Sequence, residues 1–339
     1  MPQRIVLDTD PGIDDALAIL LALASPEIDL AAVTVTAGNC SMEQGARNAR
    51  AVLALTPQPG LPVCHGVPVP LLRPLFTAPE THGDTGLGYA RLAEPAQPPA
   101  AEHAVDRIIR EIMEHPGEVT LVAVAPLTNV ALALRKEPRI AANVREVIIM
   151  GGAIHVDGNT TPHAEFNFFV DPHAAQIVLG SGMPITLLPW DITKDVVLEQ
   201  RHVDQILATG SPIARFIADA TRFYIAFHEQ CFGISACAIN DPVAVALAFM
   251  PTLATTTPMH IAVEHTSELM MGKSAAGYIG STDSPPAEHD MLGWDTRRYP
   301  HGWAHSQRPL PNAQVVTRLD TARFIDMFVE RMIALSRAG

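Results

Sequence analysis

The sequence is poor in positive charge. Its 339 residues contain 23 Lys and Arg against 36 Asp and Glu, which gives a formal net charge of −13 at pH 7. A chain with this balance has few cations to neutralise phosphate groups, so we expect it to bind neither nucleic acid nor an anionic membrane surface. The sequence also lacks an apolar run near the roughly 20 residues that a membrane-spanning helix needs. We therefore expect no membrane partner.

Cysteine is scarce too, and the cysteines form no CxxC pair: Cys40, Cys64, Cys231 and Cys237. This distribution predicts neither a disulfide framework nor a zinc site. The N-terminal stretch MPQRIVLDTDPG becomes acidic at position 8, which is not typical of a secretory signal peptide. Hydrophobic residues make up 48% of the chain, enough for a large core. These features predict a globular, cytoplasmic protein.

Apolar segments alternate with segments of helical spacing along the chain. The predicted strands are Arg4–Asp10, Ile28–Thr36, Val119–Ala125, Val144–Met150 and Ile185–Pro189. The predicted helices are Asp14–Ala24, Met42–Leu55, Thr128–Lys136 and one after Asp171-Pro172. Continuous apolar strands separated by helices are typical of a mainly parallel sheet covered on both faces. Without an evident repeat or linker, we predict one α/β domain over residues 1–339, with a mainly parallel central sheet flanked by helices.

Ligands of such sheets bind beyond the carboxyl ends of the strands, and four carboxylates lie at the first of these ends. They are Asp8, Asp10, Asp14 and Asp15. Asp14 and Asp15 could simply be acids in the first turn of a helix, where the helix dipole favours them. That interpretation does not account for Asp8 and Asp10, because like charges this close repel unless a cation lies among them. Hard oxygen ligands without His or Cys favour Ca²⁺ or Mg²⁺.

A second polar cluster follows the predicted strand that ends at Met150. Asn159, Glu165 and Asn167 are polar side chains among apolar neighbours. Amides donate and accept hydrogen bonds, and a carboxylate accepts them from hydroxyl groups. The alternative is a polar surface loop, which fits Asn159 better than the other two. The cluster therefore indicates a site for a polyhydroxylated ligand.

At this point the sequence resembles the inosine-uridine-type nucleoside hydrolases, from residue 4 to about residue 335. The motifs that carry the resemblance are DTDPGIDDALAIL at 8–20, AGN at 37–39, HGDTGLG at 82–88, APLTN at 125–129, GNTTPHAEFN at 158–167 and NDPVAVA at 240–246. The resemblance implies a single Rossmann-like α/β domain that forms homodimers or homotetramers. It also implies hydrolysis of the N-glycosidic bond of a ribonucleoside, to ribose and free base, with a bound Ca²⁺.

The resemblance also implies roles for individual residues. The Ca²⁺ ligands would be Asp10, Asp15, Asp241 and the main-chain carbonyl of Val124, with Asp10 also the general base that activates water. Asp8 would orient these groups. The positions that match the family's ribose-binding residues are Asp14, Asn39, Asn159, Glu165 and Asn167.

The sequence departs from the family pattern on the side of the base. Many members have His immediately before the last metal-binding Asp, and the purine-specific branch has Trp, whereas this chain has Asn240. An amide cannot donate a proton to the departing base at neutral pH, although an imidazole near its ordinary pKa can. His82 matches a base-side position, and Tyr224, His228 and Phe232 share one face of a helix that borders the base pocket in relatives.

Several alternatives stay open at this point. His228 could be a catalytic or a structural histidine, the base specificity is undetermined, and no role is assigned to residues 281–312, with His301 and His305. A haloacid-dehalogenase-type Mg²⁺ phosphatase also carries DxD at the end of a first strand, but it needs Thr or Val where this chain has Gly12. A non-catalytic ribose- or nucleoside-binding protein is the third alternative, which Asn240 suggests and the retained Asp10 argues against.

Overall fold

The computed structural model describes residues 2–277 and 310–338. Most of the stretch 281–312, including His301 and His305, lies outside the described residues. Within the described ranges, no helix is both long and apolar enough to cross a membrane.

The strands are short, and most of them join one sheet. They are β1 (Gln3–Thr9), β2 (Ile28–Val35), β3 (Val63–His65), β4 (Thr120–Ala123), β5 (Glu146–Met150), β6 (Ile185–Leu188), β7 (Val197–Glu199), β8 (Ala236–Ala238), β9 (Ala254–Val263), β10 (Ser274–Gly277) and β11 (Ala313–Leu319). In the described part of the chain the sheet has the order β10-β9-β11-β6-β5-β4-β1-β2-β3, while β7 and β8 pair separately. All neighbouring strands in the stretch β11-β6-β5-β4-β1-β2-β3 are parallel. Strand β9 is antiparallel to both of its neighbours, β10 and β11.

The helices lie on both faces of this sheet. They are α1 (Ile13–Ala24), α2 (Met42–Leu53), α3 (Pro79–His82), α4 (Ala104–Glu114), α5 (Thr128–Lys136), α6 (Ile140–Asn143), α7 (Phe166–Val170), α8 (Pro172–Leu179), α9 (Trp190–Thr193), α10 (Gln200–Leu207), α11 (Pro212–Phe232), α12 (Asn240–Phe249) and α13 (Thr321–Ala338). Buried side chains of α1, α2 and α10–α13 form one core cluster, and those of α4, α5, α6 and α8 form another.

Strand β1 shows how the sequence builds both cores. Ile5 and Leu7 belong to the first cluster and Val6 to the second, because successive strand side chains point to opposite faces. A strand buried on both faces must be apolar at every position, and this is the continuous pattern that the sequence shows. The predicted single α/β domain with a mainly parallel sheet is confirmed.

The differences from the sequence-based elements lie at the element ends and in strands that were not predicted. Helix α5 has the predicted bounds, whereas β4 is shorter than predicted because Val124 already leads into the turn before α5. Strands β3 and β7 to β11 were not predicted. In β9 the first half, ATTTP at 254–258, is exposed or half-buried, so it lacks the continuous apolar pattern of a core strand. Pro258 lies outside the stretch His260–Val263 that pairs with β10.

Candidate active site

The carboxyl ends of β1, β2, β4 and β5 meet at one edge of the sheet, where a cavity of about 330 Å³ opens. Many of the residues singled out from the sequence line this cavity, although they come from distant parts of the chain: Asp14, Asn39, His82, Val124, Asn159, Glu165, Asn167, Tyr224, His228, Asn240 and Asp241. Asp10 and Asp15 do not line it, but both accept a hydrogen bond from Asn39, which does.

Three carboxylates gather at the floor of the cavity. Asp14 and Asp15 begin α1, Asp241 begins α12, and these two helices pack on each other. One oxygen of each of the three lies within 4.8 Å of the others, and all three residues are buried. The packing of α1 on α12 therefore brings Asp14 and Asp15 of the DTDPGIDDALAIL motif close to Asp241 of the NDPVAVA motif.

Asp15 is fully occupied by hydrogen bonds within the protein. Its carboxylate accepts from Thr9 Oγ1 at 2.5 Å, from Asp10 N at 3.2 Å, from Gly12 N at 2.9 Å and from Asn39 Nδ2 at 2.9 Å. Asp15 thus caps its own helix, as expected for an acid in the first turn, and it also ties α1 to the end of β1. These four hydrogen bonds match the four lone-pair sites of a carboxylate, so a cation on Asp15 would replace or share one of them.

Asp10 has a different environment. Its Oδ2 accepts from Asn39 N at 2.7 Å, whereas Oδ1 is buried without any hydrogen-bond partner among the described residues. The neighbouring backbone leaves room for this carboxylate only because residue 38 is glycine, since a Cβ there would lie 1.9 Å from Asp10 Oδ2. A buried carboxylate oxygen without a partner is costly unless a cation meets it.

Burial shifts the acidity of this group of carboxylates. It raises the pKa of Asp10 and Asp241 well above the ordinary value, with repulsion by neighbouring aspartates adding to the shift, and it raises the pKa of Asp14 to about 7. No Lys or Arg in the described part of the chain lowers the pKa of these carboxyl groups appreciably. The partnerless oxygen, the burial and the oxygen-only donor set together fit a bound divalent cation.

Asp8 lies in β1, two residues before Asp10, and bonds to groups outside this cluster. Its Oδ1 accepts from Thr34 Oγ1 at 2.6 Å and from Asn129 Nδ2 at 2.8 Å. Burial raises its pKa to about 7. Asp8 therefore links β1 to β2 and to α5, and it contacts Asn129 of the APLTN motif, which the sequence alone left without a partner.

The second polar cluster is held by backbone groups at the end of β5. Glu165 accepts from Asn167 N at 2.8 Å, from Gly152 N at 2.7 Å and from Phe168 N at 3.2 Å, and burial raises its pKa to about 7. Asn167 Nδ2 donates to the carbonyls of Val124 at 3.0 Å and Met150 at 3.1 Å. Glu165 and Asn167 are thus rigidly oriented.

Asn159 differs from them, because it is exposed at the rim. Its Oδ1 accepts from Phe166 N at 2.9 Å, which ties the rim to the start of α7.

The two histidines of the base side are both engaged by main-chain groups. His82 Nδ1 accepts from Ile13 N at 3.1 Å, which leaves the ring proton on Nε2. His228 Nδ1 lies 2.9 Å from the Tyr224 carbonyl, and its Nε2 accepts from Ala238 N at 3.3 Å, so both ring nitrogens are used. Burial lowers the pKa of His82 to about 4 and also lowers that of His228, in contrast to the ordinary value assumed from the sequence.

Tyr224 lies between these two histidines. Its ring centroid is 5.4 Å from that of His82 and 4.6 Å from that of His228. Burial raises the pKa of its hydroxyl well above the ordinary value, so the hydroxyl stays protonated.

Asn240 is oriented by an acid of the cluster. Its Nδ2 donates to Asp14 Oδ2 at 3.1 Å, so Oδ1 is the atom left over, and this oxygen is buried without a partner in the described structure. The atom of Asn240 that remains for a ligand is therefore a hydrogen-bond acceptor, whereas a general acid at this position would present a proton donor.

Aromatic side chains form much of the remaining lining, and most of them were not singled out from the sequence: Phe76, Phe166, Phe169, Trp190 and Phe227, in addition to Phe232. Only 5% of the chain is aromatic, so their concentration here is notable. The short aromatic runs FNFF at 166–169 and FH at 227–228 could have indicated an aromatic cavity wall in the sequence. Aromatic residues in helices, however, more often belong to a core.

Comparison with known proteins gives the same picture over the whole chain. The family model described as inosine-uridine preferring nucleoside hydrolase matches residues 5–326. The pyrimidine-specific ribonucleoside hydrolase RihA of Salmonella arizonae is 35% identical over 333 residues, which are 98% of this chain and 99% of that protein.

Solved structures agree with this match. A purine-preferring ribonucleoside hydrolase from Gardnerella vaginalis superposes with a TM-score of 0.87 at 32% identity, over 99% of this chain and 100% of that one. A plant nucleoside hydrolase superposes with a TM-score of 0.86 at 31% identity, over 98% and 100%. The chain therefore belongs to the inosine-uridine preferring nucleoside hydrolase family and is a hydrolase of N-glycosyl bonds in ribonucleosides.

Proposed function

We propose that this enzyme hydrolyses ribonucleosides to ribose and free base in a calcium-dependent reaction. The observation that carries the proposal is a group of buried carboxylates at and just beneath the lining of a cavity of about 330 Å³, with no ion pair to a Lys or Arg of the described residues. That volume lies in the range of small-ligand sites, about 300–1,000 Å³.

Asp10, Asp15, Asp241 and the Val124 carbonyl would hold the calcium ion. Supporting observations are the partnerless Oδ1 of Asp10, the burial of Asp241, and the position of Val124 in the cavity lining. All are hard oxygen donors, the kind that Ca²⁺ prefers. When bound, Ca²⁺ supplies two positive charges that fix the ribose hydroxyls and make water more acidic.

The protein's own groups supply the rest of the hydrolysis. Asp10 takes the proton of the attacking water as general base. Asp14, Asn39, Asn159, Glu165 and Asn167 bind and orient the ribose. As the bond to the base breaks, positive charge develops on the sugar, and the carboxylates of Asp14 and Glu165 stabilise that charge.

On the base side, we assign activation of the leaving group to His82 and His228, with Tyr224 and Asn240 as further contacts to the base. His82 supports this best, because its Nε2–H remains for the base once Nδ1 has accepted from Ile13 N. His228 uses both ring nitrogens for main-chain hydrogen bonds, so it has no proton left for the base, and its role is to orient Tyr224, whose ring centroid lies 4.6 Å away. Asn240 offers its Oδ1 to an N–H on the edge of the base.

We further propose a cytoplasmic enzyme whose single domain spans residues 1–339 and which assembles as a homodimer or homotetramer. The match of the family model over residues 5–326 supports the single domain. The Salmonella arizonae and Gardnerella vaginalis relatives carry opposite base preferences in their names, so the base preference of this chain has to be measured directly.

A substrate panel tests the proposed function. Purified enzyme is incubated with inosine, adenosine, guanosine, uridine and cytidine, and with p-nitrophenyl phosphate, in calcium buffer and in EDTA. We expect ribose release from at least one nucleoside, lost in EDTA and restored by calcium, and no phosphate release. Phosphate release without ribose release would favour the phosphatase alternative, and nucleoside binding without ribose release would favour the non-catalytic binding protein.

A further inference from the structure

One wall of the cavity is a loop without regular secondary structure. Residues 71–78, here called the wall loop, contribute Phe76, Thr77 and Ala78 to the lining. The two ends of the loop are anchored. At its start, Leu71 N donates to Asp171 Oδ2 at 2.9 Å, and at its end Ala78 N donates to the Asn39 carbonyl at 3.0 Å.

Between these anchors, Arg73 supplies the one side-chain hydrogen bond that joins the wall loop to α7 within the described residues. The guanidinium of Arg73 donates a hydrogen bond to the carbonyl of Phe169 in α7. Its Cζ also lies 4.4 Å from the ring centroid of Phe169 and 5.2 Å from that of Phe76. The two rings are 5.3 Å apart, so Arg73 holds them side by side.

Both rings belong to the cavity lining, while Arg73 itself lies behind them. Phe76 is 42% exposed, so burial alone does not fix its position. A planar guanidinium can stack on aromatic faces and donate hydrogen bonds at the same time, and an ammonium group cannot reproduce that geometry. Arg73 is therefore suited to order the middle of the loop, where no backbone anchor is present.

We propose that Arg73 is a positioning residue that holds the wall loop against α7, so that Phe76 and Phe169 form one continuous apolar wall for the nucleoside. The proposal rests on the proposed function. Helix α7 also carries Asn167, so the same contact couples the aromatic wall to the ribose-binding residues. Substrate binding loses less conformational entropy when the loop is already ordered than when the substrate must order it.

The consequence is a change in substrate affinity rather than in the chemical step. In Arg73→Ala, the wall loop keeps its end anchors and loses its central one, so we expect KM to rise about tenfold with kcat within about threefold of wild type. Arg73→Lys should recover only part of this affinity, because the amine lacks the planar face. Arg222→Ala is the matched control, since Arg222 lies 4.9 Å from the ring of Tyr89 and neither residue lines the cavity.

The experiment measures kcat, KM and Tm for wild type and the three variants, and hydrogen–deuterium exchange of residues 71–78 without substrate. We expect faster exchange in the wall loop of Arg73→Ala, partial protection in Arg73→Lys, and no change in Arg222→Ala. An unchanged KM with unchanged exchange in Arg73→Ala overturns the proposal. So does a fall in Tm and kcat at constant KM, or full recovery by lysine.

The two proposals fail in different ways. If wild type releases no ribose from any nucleoside, the proposed function is wrong. The exchange measurement then still decides whether Arg73 orders the wall loop, because it requires no turnover.

Discussion

The two ends of β1 bury negative charge in opposite ways. At the amino end, Arg4 contacts Glu111 at 2.8 Å and Asp29 at 2.6 Å, and Glu111, whose side chain is 2% exposed, also pairs with Arg107 at 2.9 Å. At the carboxyl end, the strand leads to Asp10 in a group of buried aspartates whose pKa values no arginine of residues 2–277 or 310–338 lowers appreciably.

This contrast separates structural charge from functional charge. A buried carboxylate is costly unless it is compensated, and breaking a buried pair leaves an uncompensated charge. At the amino end the chain supplies the compensation itself, so the charges belong to the folded protein alone. At the carboxyl end no arginine among the described residues pairs with the aspartates, so their charge is removed by bound protons or, in the function proposed above, balanced by a cation.

The largest expected effect comes from removing one charge at the carboxyl end. Asp10→Asn should reduce kcat by several orders of magnitude, of which loss of a general base accounts for about 10²–10⁴. The amide oxygen can still accept the hydrogen bond from Asn39 N, so the metal-free variant should be at least as stable as metal-free wild type. Steady-state kinetics and thermal melts measure both quantities.

The control is Asp29→Asn at the amino end, where the side chain is 50% exposed and pairs with Arg4. It should retain wild-type kcat. Near-full ribose release by Asp10→Asn would contradict the role assigned to Asp10, and a large loss of stability in that variant would remove the contrast between the two ends.

Removal of calcium should have the next largest effect, and it should depend on pH. The pKa values of Asp8, Asp14 and Glu165 are raised to about 7, so the folded metal-free protein keeps protons that the unfolded chain, with ordinary pKa values near 4, releases. Metal-free stability should therefore be highest near pH 4–5 and fall as pH rises to about 7. Calcium at 100 times its Kd should restore about 2.7 kcal/mol.

Thermal melts in EDTA and in calcium, from pH 5 to pH 8, measure this effect. The difference between the two Tm values should widen with pH. A difference that is constant across this range, or a metal-free Tm that rises with pH, would show that the buried carboxylates are compensated within the protein.

The sequence predicted the carboxyl end better than the rest of the molecule. DTDPGIDDALAIL combines a strand, a turn and a helix start in consecutive residues, so its geometry is local and can be derived from the pattern. The meeting of Asp15 with Asp241 needed the family resemblance, because it depends on the packing of α1 on α12.

Other contacts between distant segments could not be predicted from the sequence. The hydrogen bond from Ile13 N to His82 and the contact of Arg73 with Phe169 join loops whose relative positions no local pattern determines. The acidity of His82 was missed for the same reason, because its burial arises from tertiary packing. Strand β9 was missed because its first half, ATTTP at 254–258, lacks the continuous apolar pattern of the buried strands.

A smaller effect is expected from the amino end. Glu111→Gln removes the carboxylate shared by Arg4, Arg107 and Arg110, and should cost about 1–3 kcal/mol in the free energy of unfolding with kcat unchanged. The matched control is Glu94→Gln, whose pair with Arg47 is largely exposed and should contribute less than about 1 kcal/mol. Denaturant unfolding and kinetics decide, and a fall in kcat for Glu111→Gln would show that the two ends of the strand are coupled.

The smallest effect should come from an uncharged group at the carboxyl end. Asn240→Ala removes a hydrogen bond to Asp14 and one acceptor, but no proton donor for the leaving base, so ribose release should fall by less than about tenfold. His82→Ala, by comparison, should lose far more on inosine and uridine, while p-nitrophenyl riboside, whose leaving group needs no proton, should be cleaved almost normally by both variants. If Asn240→Ala greatly reduces ribose release from nucleosides but not from p-nitrophenyl riboside, Asn240 is the residue that activates the leaving group. A loss on both substrates would instead mean that Asn240 keeps Asp14 in place for the ribose. The functional groups at the carboxyl end of β1 would then include a neutral side chain as well as the carboxylates.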